Sequence, residues 1–127
     1  MLPSGIRIFV CTEPFDMRRS FDGLAAATRE QLGLDPESGV LVAFVNRRRN
    51  RLKMLWWDRT GYCIVYKRLE WGVFRLPQTL DPGRPRVAID RKELAKIMEG
   101  VKLPPKRHRL HRAARTGHSL FSAAVEE

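Results

Sequence analysis

The chain is poor in the residue types that staple, anchor or catalyse. It has only two cysteines, Cys11 and Cys63, each inside an apolar stretch and without a secretory context. Small buried thiols are expected there rather than a disulfide. Histidine occurs only at His108, His111 and His118. The first two could share one helical face, but no cysteine or acid beside them completes a metal set, and the neighbouring arginines disfavour a cation. No apolar run reaches the roughly 18 residues a membrane span needs. Met1–Gly5 lacks the charged lead and apolar core of an export signal. A soluble, reduced, cytoplasmic protein with no membrane partner is expected.

Catalytic signatures are missing as well. There is no glycine-rich phosphate loop, no nucleophile elbow and no paired-cysteine zinc ribbon. Two-metal phosphoryl transfer needs several acids converging on ions about 4 Å apart. The candidates Asp16, Asp22, Asp58, Glu70 and Asp90 are scattered, and local roles claim several of them. Asp58 lies in a hairpin turn and Asp90 at a helix-cap position, while Asp22 falls in the first turn of a helix, where the macrodipole favours negative charge. No catalytic residue, metal or cofactor is expected, and the chain does not read as an enzyme.

What is abundant is positive charge. Lysine and arginine total 24 against 14 acids, a net charge of +10. A fold needs no such field; it concentrates polyanions and speeds encounter with them, and nucleic acid is the leading partner. The excess is present throughout the chain, with 18 basic and 12 acidic residues up to residue 100 and 6 against 2 beyond it. The alternative is that the charge serves solubility alone.

At 127 residues, 43% of them hydrophobic, the chain has room for one domain with a modest core. Ile6, Ile8 and Val10 alternate as in a strand. Ser20 is placed to cap a helix carrying Phe21, Leu24, Ala25, Thr28 and Leu32, which Gly33 ends. Val40–Val45 is a strand-length apolar run. Leu52–Trp57 and Tyr62–Tyr66 continue as strands around the turns 46–50 and 58–61, and Leu69–Leu76 is a further strand candidate. After an irregular proline- and glycine-rich loop at 80–86, Val87–Ile89 reads as a short edge strand. Asp90 and Glu93 stand at capping-box spacing before Leu94, Ile97, Met98 and Val101. The expected fold is α+β, an antiparallel or mixed β-meander of four to five strands with two helices on one face, leaving an open, basic and aromatic face. The domain is expected over 1–103, with a basic tail at 104–127.

The strongest local feature is Asn46–Lys53, in which Arg47, Arg48, Arg49, Arg51 and Lys53 are basic. A hairpin turn can aim guanidinium forks at phosphates. Five neutralised phosphates would give a salt slope of about −4.5, roughly a 500-fold loss of affinity between 50 and 200 mM. The competing reading is a solvated turn that guards the hairpin against edge pairing. Lys67 and Arg68 either extend this surface or join Glu70 in an exposed ion network worth little. Trp56, Trp57, Tyr62, Tyr66 and Trp71 serve the core or stack bases. Gly23 inside a helix costs about 1 kcal/mol relative to alanine, which packing or a later helix start would explain.

Three segments together carry a resemblance: Asp16-Met17-Arg18-Arg19-Ser20-Phe21-Asp22-Gly23-Leu24, Arg51-Leu52-Lys53-Met54-Leu55-Trp56-Trp57-Asp58-Arg59-Thr60-Gly61, and Tyr66-Lys67-Arg68-Leu69-Glu70-Trp71-Gly72-Val73-Phe74. From about Ile6 to Val101 the chain resembles the TnpB (Orf2-like) accessory proteins of the insertion-sequence family numbered sixty-six. Members usually carry glycine where this chain has Ser20, and the tail after Pro105 is outside the match. An unrelated RNA-guided nuclease shares the name, but its acidic triad and zinc cysteines are missing here. The resemblance implies a bacterial cytoplasmic or nucleoid-associated protein that supports transposition without being the transposase. It attaches significance to Asp16, Arg18, Arg19, Asp22, Gly23, Trp57, Asp58, Gly61 and Glu70, and to Lys53, Lys67 and Arg68, without saying what they touch. Two functions follow: binding DNA, at element ends or non-specifically, through the basic hairpin, Lys67, Arg68 and the tail; or an adapter that binds the transposase with little DNA affinity. Self-association and a regulatory, antitoxin-like role remain open.

Overall fold

The computed structural model describes residue 2, residues 4–77 and residues 85–102. Its elements in chain order are β1 (Arg7–Cys11), α1 (Phe21–Glu30), β2 (Val40–Val45), β3 (Arg51–Asp58), β4 (Gly61–Arg68), β5 (Arg86–Ile89) and α2 (Arg91–Glu99). The strands form one sheet in the order β4-β3-β2-β1-β5. β1 and β2 run parallel and are joined through α1, while the remaining neighbours are antiparallel. The fold is α+β with a mixed sheet, and the expected meander is β2–β3–β4.

Both faces of the sheet are covered, which corrects the expectation of one open face. Ile8, Val10, Leu41, Ala43, Val45, Leu52, Met54 and Trp56 pack on one side with Leu94 and Ile97 of α2 and with Phe74. Their strand neighbours Cys11, Val40, Val42, Phe44 and Leu55 pack on the other with Leu24, Ala25 and Ala27 of α1. All six residues of β2 are buried. A strand enclosed on both faces loses the apolar–polar alternation of a half-exposed one, which is why Val40–Val45 is continuously apolar.

Leu69–Leu76 is not a strand. It crosses the α2 side as irregular chain and seats Phe74 in the core. An antiparallel bridge joins its Val73 to Val101, just after α2, with hydrogen bonds of 3.0 and 2.7 Å. Gly72 makes this approach feasible: its φ is +89°, and a Cβ there would stand 2.1 Å from the Val101 carbonyl oxygen.

Helix ends follow their local chemistry. Asp90 completes the capping box, accepting from the Glu93 N–H while the Glu93 carboxylate accepts from the Asp90 N–H. Ser20 occupies the N-cap position of α1 but makes no side-chain bond there. Gly33, at φ +68°, ends that helix as expected. Both cysteines are free, and burial pushes the Cys11 thiol pKa up. Most of the 80–86 loop and all of the basic tail expected at 104–127 lie outside the described residues.

Candidate nucleic-acid interface

Parallel strands end on the same side of a sheet, and crevices at their carboxyl ends are where open α/β sheets bind ligands. The segment after β1 and the turn after β2 therefore face one another. The Phe15 N–H donates to the Val45 carbonyl at 2.9 Å, and the Phe15 ring packs on Phe44 at 4.7 Å between centroids. Between the two segments lies an open groove of about 660 Å³ lined by Pro14–Arg18, Asn46, Arg47, Arg51 and Tyr66.

The turn wall is built from Asn46, whose side chain is buried. Its Oδ1 accepts from the backbone N–H groups of Asn50 (3.0 Å) and Arg51 (2.9 Å), and its Nδ2 donates to Asn50 Oδ1 at 2.8 Å. From behind, Phe74 N–H donates to the Arg49 carbonyl (2.7 Å) and Leu69 N–H to that of Asn50 (2.8 Å). Arg49 is thereby held in the left-handed region at φ +63°, a conformation costing a residue with a Cβ roughly 1–2 kcal/mol. Arg47, Arg48 and Arg49 project from a braced turn, all exposed.

On the floor, β3 and β4 set Arg51 opposite Arg68 and Lys53 opposite Tyr66. Arg51 Nη1 donates to the Tyr66 hydroxyl at 2.9 Å. Lys53 departs from its expected role: it is only 8% exposed, because its strand position points toward α1. Its ammonium donates to the Arg19 carbonyl at 2.7 Å and stands 4.8 Å from the centroid of the Tyr66 ring.

The opposite wall holds the first motif. Asp16 accepts from Arg18 through Nε, Nη2 (2.8 Å) and the backbone N–H, a forked pair of the strong kind. The Arg18 side-chain hydrogen bonds hold the Asp16 carboxyl down to about 2. The Arg18 side chain is nevertheless 90% exposed. Arg19 lies over the Phe15 ring at 5.5 Å, and Gly23 leaves room for it: a Cβ there would meet the Arg19 side chain at 2.9 Å. Close approach thus accounts for a glycine inside α1, the approaching group being the preceding arginine. Asp22 is exposed in the first turn of that helix.

Other expected residues are elsewhere or otherwise engaged. Lys67 donates to the Met98 carbonyl at 2.8 Å, placing its charge at the C-terminal end of α2, where the dipole favours it. Arg68 pairs with Glu70 at 2.8 Å on the surface. Asp58 and Gly61 flank the two-residue β3–β4 turn at the far end of the hairpin, where Arg59 is left-handed at φ +51°. Trp57 packs edge-on against Tyr62 at 5.0 Å, while Trp56 is buried on the α2 side. No group of three or more His, Cys, Asp or Glu side chains is placed to hold a metal among the described residues. No described helix is long and apolar enough to cross a membrane.

Sequence reasoning missed Pro14 and Met17 as groove residues, and missed that Arg18 lines the same groove as Arg47 and Arg51; Tyr66 was singled out among the aromatics but not placed there. The available signal was connectivity: a helix between two strands allows them to run parallel, with their exits adjacent.

A family model described as "IS66 Orf2 like protein" matches residues 6–108. The chain is 37% identical over 103 residues to uncharacterized protein y4hO of Sinorhizobium fredii (strain NBRC 101917 / NGR234), covering 80% of this chain and 87% of that protein. It is 39% identical over 77 residues to uncharacterized protein y4jC of the same strain, covering 61% and 66%. No solved structure matches.

Proposed function

Because the chain belongs to the IS66 Orf2-like family, we propose that it is a non-catalytic accessory protein of insertion-sequence transposition that binds DNA in the groove between residues 14–19 and 46–51. One observation carries this reading. Two separate arginine-bearing segments, after β1 and after β2, form the two walls of the same open groove.

The electrostatics support the direction of the proposal. Arg47, Arg48, Arg49 and Arg51 rise from a turn whose backbone is braced, so little ordering remains to be done when a phosphate arrives. With Lys53 engaged in the interior, the turn arginines Arg47, Arg48, Arg49 and Arg51 are the phosphate contacts proposed. They correspond to a salt slope of about −3.6 on duplex DNA, roughly a 150-fold loss between 50 and 200 mM.

A mobility-shift titration tests this with purified protein, DNA from the ends of the insertion element and scrambled DNA, across salt. A steep slope that flattens when Arg47, Arg48 and Arg49 become alanine supports the proposal. No binding to either DNA at 50 mM salt removes it.

Trp71 favours a second reading. It is 75% exposed on the segment that follows β4, and exposed tryptophans are common anchors of protein interfaces. On this reading the protein is an adapter for the transposase, and Trp71→Ala would abolish co-purification of the two proteins while leaving DNA binding intact.

A further inference from the structure

The two walls of the groove differ in chemistry, and that difference bears on the form of DNA it accepts. Arg47 and Arg51 stand on the turn side. The other wall presents Pro14, Phe15, Met17 and the Asp16 carboxylate paired with Arg18. Asp16 stays ionised through the physiological range, and Arg18 balances its charge, so this wall holds no surplus of positive charge for a phosphate. A phosphodiester backbone is therefore favoured along the turn side. On the 14–18 wall, Pro14, Phe15 and Met17 suit a flat, apolar group, and the Asp16 carboxylate suits one that donates a hydrogen bond. Nucleobases have those properties. A duplex presents phosphates along both edges of a groove, whereas a single strand carries its backbone on one side and its bases on the other.

Tyr66 supplies a surface for such a base. The residue is 47% exposed and lines the groove. It is fixed at two points, by Arg51 at the hydroxyl, 2.9 Å, and by the Lys53 ammonium 4.8 Å from the ring centroid. Lys53 is itself anchored on the Arg19 carbonyl. A half-exposed aromatic ring held in place beside arginines is the arrangement that single-strand binding proteins use to stack bases.

We propose that the groove takes single-stranded DNA, with an unpaired base stacked on Tyr66, its edge toward Asp16 and the adjoining phosphates on Arg47 and Arg51. This deepens the DNA-binding reading above and rests on it. It also assigns Lys53 a part: the buried ammonium positions the ring rather than touching phosphate.

Fluorescence anisotropy of the full chain with a labelled oligothymidine and with a duplex hairpin of equal length tests the proposal, using wild type, Tyr66→Ala, Tyr66→Phe and the Arg47→Ala/Arg51→Ala double variant. Circular dichroism melts establish that each variant is folded; Tyr66 lies half-exposed on an edge strand, so its truncation leaves the cores intact. The expected result is a preference for the single strand, with a salt slope near −1.4 for the two phosphate contacts on Arg47 and Arg51. Tyr66→Ala loses roughly 5- to 150-fold in affinity for it, the effect of removing one base stack, while Tyr66→Phe stays close to wild type. If Tyr66→Ala binds the single strand as wild type does, or if duplex is preferred, the stacking proposal is overturned, and DNA binding stands so long as the double arginine variant is impaired. Failure of both DNAs to bind at 50 mM salt overturns the groove reading as a whole.

Discussion

A Cβ placed on Gly23 would stand 2.9 Å from the Cβ of Arg19 and 3.0 Å from its Nε. The helix thus gives up about 1 kcal/mol of intrinsic preference, and the space left open is occupied by an arginine that also lies over Phe15. Gly23→Ala should displace Arg19 and leave overall stability within about 1 kcal/mol, because the gain in helix preference offsets the steric cost. DNA affinity should fall. In an Arg19→Ala background the same Gly23→Ala change should add no further loss of affinity. Equal losses in both backgrounds would mean that Gly23 acts without Arg19.

The braced turn makes a separate prediction. Asn46→Ala removes the acceptor for the Asn50 and Arg51 N–H groups at a buried site. Urea unfolding should show a loss of about 2–3 kcal/mol, since two donors lose their partner. Asn46→Asp keeps the acceptor and should cost about 1 kcal/mol. If alanine proves as stable as wild type, the amide does not organise the turn.

The pH behaviour of the opposite wall follows from the Asp16–Arg18 pair. The Asp16 carboxyl is held at about 2, below its ordinary 3.8, chiefly by the Arg18 side-chain hydrogen bonds. A folded-state value below the unfolded one adds stability that is present above about pH 4 and lost as pH falls through 2. Exposure of the pair keeps that contribution small. Carboxyl-detected NMR should find Asp16 titrating near 2 in wild type and close to its ordinary value in Arg18→Ala. A midpoint near 4 in wild type would mean that the pair does not persist in solution.

Much of the fold was legible because the local signals agreed with the tertiary outcome. Asp90 and Glu93 announced α2, and Val87–Ile89 announced an edge strand, now β5. The open face was misjudged because period-2 reasoning asks which side of a strand is apolar, and β2 is apolar on both. Leu69–Leu76 misled for a related reason: Phe74 is a core residue delivered by irregular chain, and composition does not distinguish that from a strand. Of the site, the arginine turn was visible and its partner wall was not. Asp16 and Arg51 are 35 positions apart in the chain, and only the parallel pairing of β1 with β2 brings their segments together. Lys53 and Lys67 illustrate the remaining gap, since sequence reports a cation without reporting which way its strand position points.

That gap can be measured, because a cation that neutralises phosphate and one that serves the fold leave different marks on salt dependence. Each duplex phosphate contact contributes about 0.9 to the slope of log affinity against log salt. Arg47→Ala should therefore flatten the slope by about 0.9 and leave urea stability unchanged within about 0.5 kcal/mol, as expected for an exposed turn residue. Lys67→Met should do the reverse. Its ammonium meets the Met98 carbonyl at the end of α2, so roughly 1 kcal/mol of stability should be lost with the slope intact. Lys53→Met should likewise spare the slope, because its ammonium is bound to Arg19 inside the protein. A flattening near 0.9 in either lysine variant would mean that the side chain leaves its internal partner to meet DNA, and the cationic surface would then be the broader one read from composition alone.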